Sequence, residues 1–354
     1  MNNCDRIFTP NYVGNIIMKH VLVTIIAVIT ALTNLFTSAD ARAELKNKGD
    51  ITGYSSTVSA QKELRDFQVD ENDDFTVLQF SDTHLKTCIS FSDMKIVNDM
   101  KAKAQEYDPD LVVIAGDMID DGNIGAFNKS YVLRTVAEMF EDIDQYWAYV
   151  PGNNDGINYG TTEDVVAYLS QYEHCLVSDE SEISGATQYS IDIYDENELT
   201  HSLVFLDTMD YDNEDADHIY GYVHEDQVKW CQREIALKKL QNSEVTVSVF
   251  QHENTPAFAK AQKSGEAYKF GHATVSILGE KYDIAKNQPL DDVFDNSGCV
   301  GLVSIGHTHP VSDSCSYYNG TYYHISTQAI ISGTLITIHT SSDNIKSMYD
   351  FEAV

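Results

Sequence analysis

The sequence predicts an α/β fold, a four-layer αββα sandwich in which two mixed sheets lie face to face and helices cover the outer sides. Three observations predict it. Apolar runs of strand length alternate with segments of helical spacing, which is typical of parallel strands joined by crossover helices. After residue 309 the apolar runs are short and closely spaced, as in antiparallel strands. Polar side chains follow the apolar runs directly, and ligand sites of α/β sheets lie at such strand ends.

The elements follow in order from Asp74, where we expect the folded domain to begin. The first half is predicted to contain strands at 75–80, 111–115 and 146–150 and helices at 94–107 and 127–143. The second half is predicted to contain strands at 188–193, 203–206, 245–250, 300–305, 316–318, 321–325 and 334–339, and a helix at 225–240. We interpret residues 74–354 as one domain, without an internal repeat or low-complexity tract.

The first 43 residues are typical of a secretory signal peptide. The uncharged apolar run Val21 to Phe36 follows Met18-Lys-His, and cleavage after Ala41 or Ala43 fits equally well. Met18 is an alternative start, which makes residues 1–17 an upstream extension. A retained membrane anchor is the alternative, but the run is short for one. Residues 44–73 are polar and aperiodic, and we interpret them as a flexible leader. The sequence therefore predicts a secreted, or otherwise extracytoplasmic, protein without stable membrane insertion after cleavage.

The chain is strongly acidic, and its formal charge changes from −32 to −33 when residues 1–43 are removed. A field of that sign repels nucleic acid and anionic membranes, so we expect neither as a partner. Five cysteines remain after cleavage, and none of their spacings is typical of a zinc site. In an oxidising compartment the default expectation is one or two disulfides plus a free thiol. The sequence does not indicate the oligomeric state.

Seven side chains that commonly bind metals follow the predicted strands, in five short strings. These candidate ligands are Asp82, His84, Asp117, Asn153, His252, His307 and His309. An aspartate and a histidine two residues apart usually mark only a surface turn, and a Gly-Asp pair after a strand is usually only a turn. The string Gly306-His-Thr-His309 is more specific. The order of all five strings together predicts a site for two metal ions.

The chemistry of these residues supports that interpretation. Asp117 has two carboxylate oxygens and could bridge two cations, a role that a single ligand set does not explain. Two ions about 3.5–4 Å apart can clamp a phosphoryl oxygen and activate a water as nucleophile. Aspartate, asparagine and histidine suit several divalent ions, so manganese, zinc, iron and magnesium all remain open.

Residues 74–330 resemble the calcineurin-like metallophosphoesterase superfamily. Within it, the string from Gly306 to Cys315 is most similar to the closing motif of the small purple-acid-phosphatase-like phosphatases of plants and fungi. The resemblance implies two metal ions, one bound by Asp82, His84, Asp117 and His309 and the other by Asp117, Asn153, His252 and His307.

Two residues depart from the family pattern. The family typically has a histidine after the ligand asparagine, where it helps to protonate the leaving group, but this chain has Asn154. An amide cannot deliver a proton at neutral pH, so we expect slow catalysis, substrates with good leaving groups, or another acid. The candidate substitutes are His174, His218, His224, Glu253 and His272. The tyrosine ligand of the purple enzymes is replaced by Asp120, so no iron-tyrosinate colour is expected.

The leading hypothesis is a secreted phosphoesterase that hydrolyses phosphate monoesters, or a small phosphodiester, by attack of metal-bound hydroxide. Asp117 and Asn154 are its candidate catalytic residues, and the expected partner is a small phosphorylated substrate. The alternative is a non-catalytic pseudoenzyme that retains the metal site for structure or for phosphate recognition. A nuclease is disfavoured, since this acidic chain offers no basic groove for a polyanion.

Overall fold

The computed structural model describes residues 64–120, 125–156, 161–178, 182–210, 221–268, 270 and 284–354. The predicted signal peptide and residues 44–63 of the predicted leader lie outside the described residues. Among the residues described, no helix combines the length and the apolar character needed to cross a membrane.

The elements alternate as the sequence predicts in the first half of the domain. The strands are β1 (Phe67–Gln68), β2 (Asp74–Phe80), β3 (Leu111–Ala115), β4 (Trp147–Val150), β5 (Gln188–Asp195), β6 (Glu198–Leu206), β7 (Thr246–Phe250), β8 (Glu266–Ala267), β9 (Val300–Ile305), β10 (Ser314–Tyr318), β11 (Thr321–Ile325), β12 (Thr334–His339) and β13 (Tyr349–Ala353). The helices are α1 (Phe91–Tyr107), α2 (Gly125–Glu141), α3 (Thr162–Leu169), α4 (Glu225–Gln241), α5 (Pro256–Ser264), α6 (Gln288–Ser297) and α7 (Ile345–Met348), with a 3₁₀ turn at Ile284–Asn287.

Both sheets are mixed, which confirms the predicted fold class. The five-stranded sheet has the order β13-β12-β2-β3-β4, with β2, β3 and β4 parallel and β12 antiparallel to β2. The eight-stranded sheet has the order β1-β5-β6-β7-β9-β11-β10-β8, with β6, β7, β9 and β11 parallel. The predicted antiparallel hairpin is the β10–β11 pair.

The alternating directions of the side chains along the central strands show how the layers form. Val204 of β6 packs in one apolar cluster with Trp230 of α4, whereas the next residue, Phe205, belongs to the other cluster together with Phe351 of the five-stranded sheet. Successive strand residues point to opposite faces, so β6 has one face under helices and one face on the second sheet. On the other side, α1 and α2 are crossover connections between parallel strands and pack against each other.

Two polar networks connect the sheets within this apolar core. The Ser304 hydroxyl lies 2.5 Å from Gln79 Oε1 and 2.8 Å from His324 Nδ1. Because an amide oxygen only accepts, the hydroxyl donates to Gln79 and His324 Nδ1 donates to the hydroxyl. His324 is fully buried, and its Nε2 makes no hydrogen bond within the described structure. In the second network, His201 Nε2 lies 2.9 Å from Ser248 Oγ, which in turn lies 3.1 Å from the hydroxyl of Tyr349 in the five-stranded sheet.

The last part of the predicted flexible leader, from Leu64, lies in the described residues and includes a strand. Phe67 is buried, and its strand β1 pairs in parallel with β5 at the edge of the larger sheet. The Phe67 ring also makes edge contacts with Phe75 and Tyr146. The described fold therefore begins before Asp74, because an aromatic side chain in this polar segment has core surface to cover.

The expected disulfides are wrong for the described cysteines. Five thiols are free and buried, namely Cys88, Cys175, Cys231, Cys299 and Cys315. Burial raises the pKa of Cys88 and of Cys231 to about 12. These thiols therefore stay protonated and act as small apolar side chains of the core.

We predict that His324 makes stability depend on pH. Burial lowers its pKa to about 4, and the carboxylate of Asp313 only partly opposes this effect. The unfolded chain binds the proton below a pH of about 6.5. The contribution is therefore fully present above pH 6.5 and is lost as the pH falls towards 4. In His324→Phe the dependence of the unfolding free energy on pH should weaken by about 1.4 kcal/mol per pH unit in this window.

Urea unfolding between pH 4 and 7 measures this dependence. Ser304→Ala is the matched control, because it removes the hydroxyl partner but keeps the imidazole. It should lower stability without changing the pH dependence. If His324→Phe unfolds with the pH dependence of the wild type, His324 does not titrate as described.

Candidate metal centre

All seven candidate ligands lie two to four residues beyond the carboxyl end of a strand. Asp82 and His84 follow β2, Asp117 follows β3 and Asn153 follows β4. In the other sheet His252 follows β7, while His307 and His309 follow β9. Backbone hydrogen bonds join the first two loops, since Asp82 N donates to Gly116 O and His84 N donates to Asp117 O. The strands thus end at one place, where both sheets contribute side chains.

Six of the candidates form two groups that share one residue. The first group is Asp82, His84, Asp117 and His309, and the second group is Asp117, His252 and His307. Within each group one ligand atom per residue lies within 4.8 Å of all the others. Each group can hold one metal ion, and the carboxylate of Asp117 reaches both.

The first group is held together by short contacts. His309 Nε2 lies 2.9 Å from Asp82 Oδ1 and 3.0 Å from His84 Nε2. Two imidazole nitrogens at this separation cannot both carry a proton, so at least one lone pair points into the group. Asp82 is buried, whereas the His309 side chain is 39 % exposed, so the group opens to solvent on the histidine side.

The second group is enclosed. His252 is fully buried, and its Nδ1 donates to Ala115 O at 2.8 Å. This hydrogen bond turns Nε2 towards Asp117 Oδ1, which lies 3.4 Å away and is not aligned for a hydrogen bond. A buried nitrogen directed at a carboxylate without hydrogen-bonding it is the arrangement that a cation between the two atoms would satisfy.

Charge at the site is strongly perturbed. Burial opposes ionisation of Asp117, but the neighbouring His252, His84 and His307 outweigh it and hold the pKa of Asp117 well below its usual range. Burial lowers the pKa of His252, but Asp117 outweighs it and raises that pKa to about 10. Burial together with His252 lowers the pKa of His307 to about 3. The anionic carboxylate of Asp117 thus lies beside a protonated His252 and a neutral His307, and a divalent cation with nitrogen and oxygen ligands would release the His252 proton when it binds.

The backbone is strained where the ligands lie. Five of the seven candidates have positive φ angles, namely Asp82 (53°), His84 (43°), Asp117 (49°), His307 (66°) and His309 (45°). Such conformations cost about 1–3 kcal/mol each for residues other than glycine and concentrate at functional sites. Glycines make room beside them, since a Cβ on Gly152 would lie 2.2 Å from Asp117 Oδ1 and one on Gly306 would lie 2.6 Å from Asp82 Oδ2.

The asparagine pair lies beside the shared carboxylate. Asn154 donates its backbone N–H to Asp117 Oδ1 at 2.9 Å and its side-chain amide to Asp117 Oδ2 at 2.6 Å. Asn153 Nδ2 lies 3.2 Å from Asn154 Oδ1, so Asn153 contacts the residue that holds the shared carboxylate. Asp155 accepts hydrogen bonds from Gly152 N and from the hydroxyl of Tyr149. Asn154 therefore positions the Asp117 carboxylate, and Asp155 fixes the loop that carries Asn154.

Comparison with known proteins decides the family. Residues 75–311 match the family model of the calcineurin-like phosphoesterases. The chain belongs to this family. Calcineurin-like phosphoesterases are a class of dimetal enzymes, in agreement with two ligand groups that share Asp117. The resemblance noted from the sequence is thereby confirmed for the superfamily. No curated protein matches the sequence.

Solved structures to which this calcineurin-like phosphoesterase is similar include a dimetal phosphatase from Danio rerio, at 12% identity and a TM-score of 0.53, covering 79% of this chain and 98% of that one. They also include the GAP50 anchor of the inner membrane complex of Plasmodium, at 10% identity and a TM-score of 0.47. That match covers 79% of this chain and 84% of the other. A purple acid phosphatase from yellow lupin (Lupinus luteus) seeds has 13% identity and a TM-score of 0.45. That match covers 84% of this chain and 54% of the other. At such identities the likeness to the first structure shows the fold alone, and the branch within the family stays a prediction.

The proposed substitute acids, and Asp120 at the position of the tyrosine ligand, are distributed over the calcineurin-like fold. Glu253 is fully buried next to His252, and burial raises its pKa well above the usual range. His174 pairs with Glu141 at 2.8 Å, near the start of β4 and thus at the opposite end of the sheet from the ligands. His224 caps α4. Asp120 pairs with Lys86 at 3.4 Å. His218 and His272 lie outside the described residues.

Sequence reasoning missed Asp93, which anchors the loop after His84. One carboxylate oxygen of Asp93 accepts hydrogen bonds from the backbone N–H groups of Lys86, Thr87 and Cys88, at 3.2, 2.8 and 3.0 Å. Asp93 N in turn donates to the Ser90 side chain at the start of α1. The signal was present, since a serine followed three residues later by an acid is typical of a helix N-terminus.

We predict that Gly306→Ala weakens metal binding. A Cβ at this position would lie 1.7 Å from Ser81 Oγ and 2.6 Å from Asp82 Oδ2, so Asp82 must move. The affinity for Mn²⁺ should fall by about tenfold or more, the usual effect of disturbing what orients a ligand. Titration calorimetry measures it. The control is Gly298→Asn, at a helix end where a Cβ would meet nothing within 4 Å. Equal affinities of Gly306→Ala and wild type would contradict the ligand role of Asp82.

A second prediction concerns Asp93→Ala. The three backbone N–H groups lose their acceptor, so the unfolding free energy should fall by about 1–3 kcal/mol and Mn²⁺ should bind more weakly because the His84 loop is released. Urea unfolding and titration calorimetry measure the two effects. The control is Asp99→Ala on the same helix, whose exposed carboxylate pairs with Lys95 and should contribute little. A stability loss without a loss of affinity would limit Asp93 to a structural role.

Proposed function

We propose that this protein is a secreted phosphoesterase that uses two divalent metal ions to hydrolyse phosphate monoesters or a small phosphodiester. The observation that carries the proposal is the position of Asp117, one buried carboxylate that belongs to both ligand groups. One structural metal ion would need only one ligand group. Two groups that share a residue can hold two adjacent cations, which is the arrangement that phosphoryl transfer uses.

The described side chains divide between the two ions. Asp82, His84, Asp117 and His309 would hold one ion, and Asp117, Asn153, His252 and His307 would hold the other. When bound, the ions would neutralise phosphoryl charge and lower the pKa of a water molecule. The hydrogen bond from His252 Nδ1 to Ala115 O fixes which nitrogen faces the site. The two hydrogen bonds from Asn154 fix the plane of the Asp117 carboxylate.

Asn154 sets the limit of the chemistry. Its amide can donate hydrogen bonds, as it does to Asp117, but it cannot give up a proton at neutral pH. The proposed enzyme therefore depends on leaving groups that depart without strong protonation, or on a proton from another group.

Charge and the N-terminal segment support the rest of the proposal. A formal charge of −32 opposes the approach of long polyanions, so a small phosphorylated substrate is favoured over a nucleic acid. The apolar run at 21–36 followed by small residues supports secretion.

The test is hydrolysis of p-nitrophenyl phosphate and of its bis-ester by the purified protein, after chelation and again after addition of manganese, zinc, iron or magnesium. Turnover should return with metal, and Asp117→Asn should abolish it. Asn154→His should raise turnover by about 10²-fold, the lower range of the effect of a general acid. The preferred ester separates monoesterase from diesterase.

Metal content, measured on the same samples, distinguishes the failures. A wild-type protein that binds metal but is silent, beside an active Asn154→His, would identify a non-catalytic binding protein with an intact site. Silence of both proteins with metal bound would overturn the phosphoesterase proposal.

A further inference from the structure

Large apolar side chains are exposed at few places in the described residues, and most of these places lie on, or directly after, loops that carry or contact the first ligand group. Four of these side chains lie on three loops and one is the first residue of α1, and we call the five the apolar rim: Ile89, Phe91, Val311, Ile330 and Ile331. The other two, Leu237 and Leu240, lie on α4. Phe91 is 89 % exposed and Val311 is 80 % exposed, so neither belongs to the core.

Each rim loop carries or contacts a residue of the first ligand group. The loop from β2 to α1 carries His84 and then Ile89, and the loop from β9 to β10 carries His309 two residues before Val311. The loop from β11 to β12 reaches the group through Gln328, whose Nε2 lies 3.2 Å from His309 Nδ1.

Backbone contacts hold that third loop in place. Ala329 N donates to Ser81 O at 2.8 Å, next to Asp82 and directly before Ile330 and Ile331. All three loops also leave their strands at the same end of the fold, because β9 is parallel to β11 and β12 runs antiparallel to β2. The rim therefore borders the more exposed of the two ligand groups.

An apolar rim beside a charged centre indicates a ligand with both characters. Exposed apolar groups of this size are unfavourable in water unless they are covered, and concentrated patches mark binding sites. A phosphate ester has an anionic phosphoryl group at one end and its alcohol at the other. With the phosphoryl group at the ligand groups, the alcohol would lie at the rim.

We propose that the site acts on phosphate monoesters of large, apolar aryl alcohols, with the aryl group packed on the rim. This inference rests on the proposed function. Phe91 offers an aromatic face, which favours aromatic partners over aliphatic ones of equal area. A phenolic oxygen has a pKa of about 10 and leaves as an anion far more readily than an aliphatic alkoxide, which suits a site where Asn154 supplies no proton.

The hydrolytic step is balanced without an added acid. A bond forms between phosphorus and the oxygen of water, and the bond between phosphorus and the aryl oxygen breaks. The aryl oxygen keeps the electron pair and departs as a phenolate, while the proton of the water passes to solvent.

The experiment compares 2-naphthyl phosphate with phenyl phosphate, because the second ring enlarges the apolar surface while the leaving oxygen stays phenolic. In the metal-loaded wild type, kcat/KM should favour the naphthyl ester by about tenfold. Phe91→Ser and Ile330→Ser should each reduce this preference to about twofold. Leu240→Ser, which removes an equally exposed apolar side chain from α4, is the matched control and should keep it.

Binding provides a readout apart from turnover. Calorimetry with 2-naphthylphosphonate and phenylphosphonate, which are not hydrolysed, should show the same preference and the same loss in the two rim variants. Melting temperatures equal to that of the wild type would show that the exposed substitutions leave the fold intact.

Four outcomes overturn the inference. Turnover of p-nitrophenyl phosphate without a preference for the naphthyl ester overturns it while the proposed function stands. An unchanged preference in both rim variants does the same. If Phe91→Ser instead releases the protein from phosphatidylcholine vesicles and leaves the preference unchanged, the rim binds a lipid surface and not the substrate. Silence towards every ester with metal bound overturns the proposed function and this inference together.

Discussion

The close approach of two buried carboxylates, Asp82 and Asp117, to four histidine rings is the constraint on which the rest of the structure depends. Burying an anion is costly unless a positive charge compensates it. The imidazoles provide part of that compensation, as the depressed pKa of Asp117 shows. Both sheets must therefore bring their strand ends together at one place, and the two-layered β core is the frame that does so.

At the ligand groups, the strained backbone belongs to the ligand residues, whereas the hydrogen bonds that stabilise it come from neighbouring residues. The left-handed backbone at five ligand positions is unfavourable in itself, and the neighbouring chain stabilises it through short hydrogen bonds. Asp93 binds the loop after His84, and Asp155 binds the turn before Asn153. Each of these carboxylates fixes a loop that carries one of the ligands. The site is thus built from the ligands themselves and from carboxylates that bind the backbone N–H groups of the ligand loops.

The sequence predicted the parts of the fold that depend on apolar periodicity. Strands such as β2, β3 and β9 are mostly apolar, and their bounds were predicted to within one residue. Short helices were missed, because α3, α5 and α6 have only 8, 9 and 10 residues, and helices of that length are stabilised mainly by tertiary packing. The edge strands β1 and β13 were missed for a related reason, since each has few residues facing the core.

The sequence placed the candidate ligands at strand ends, as the structure has them, but did not predict the contacts that hold their loops. Ligand types at strand ends are a one-dimensional signal, whereas the contact between Asp93 and three N–H groups exists only once the loop is folded. The disulfide expectation failed because cysteine spacing carries no information about distance in space, and all five described thiols are inside apolar layers. The apolar rim could not be predicted from the sequence either, because its residue types are the same as those of the core and only their exposure in the structure distinguishes them.

The pairing of β12 with β2 joins residues from opposite ends of the folded domain. Asp82 and His309, which touch at the first ligand group, are separated by 227 positions along the chain. Contacts of such long range form late, because closing the intervening loop costs entropy before any contact rewards it. During synthesis the early strands must therefore wait for nearly the whole domain, and a metal ion that meets the first half of the domain finds four of the seven candidate ligands.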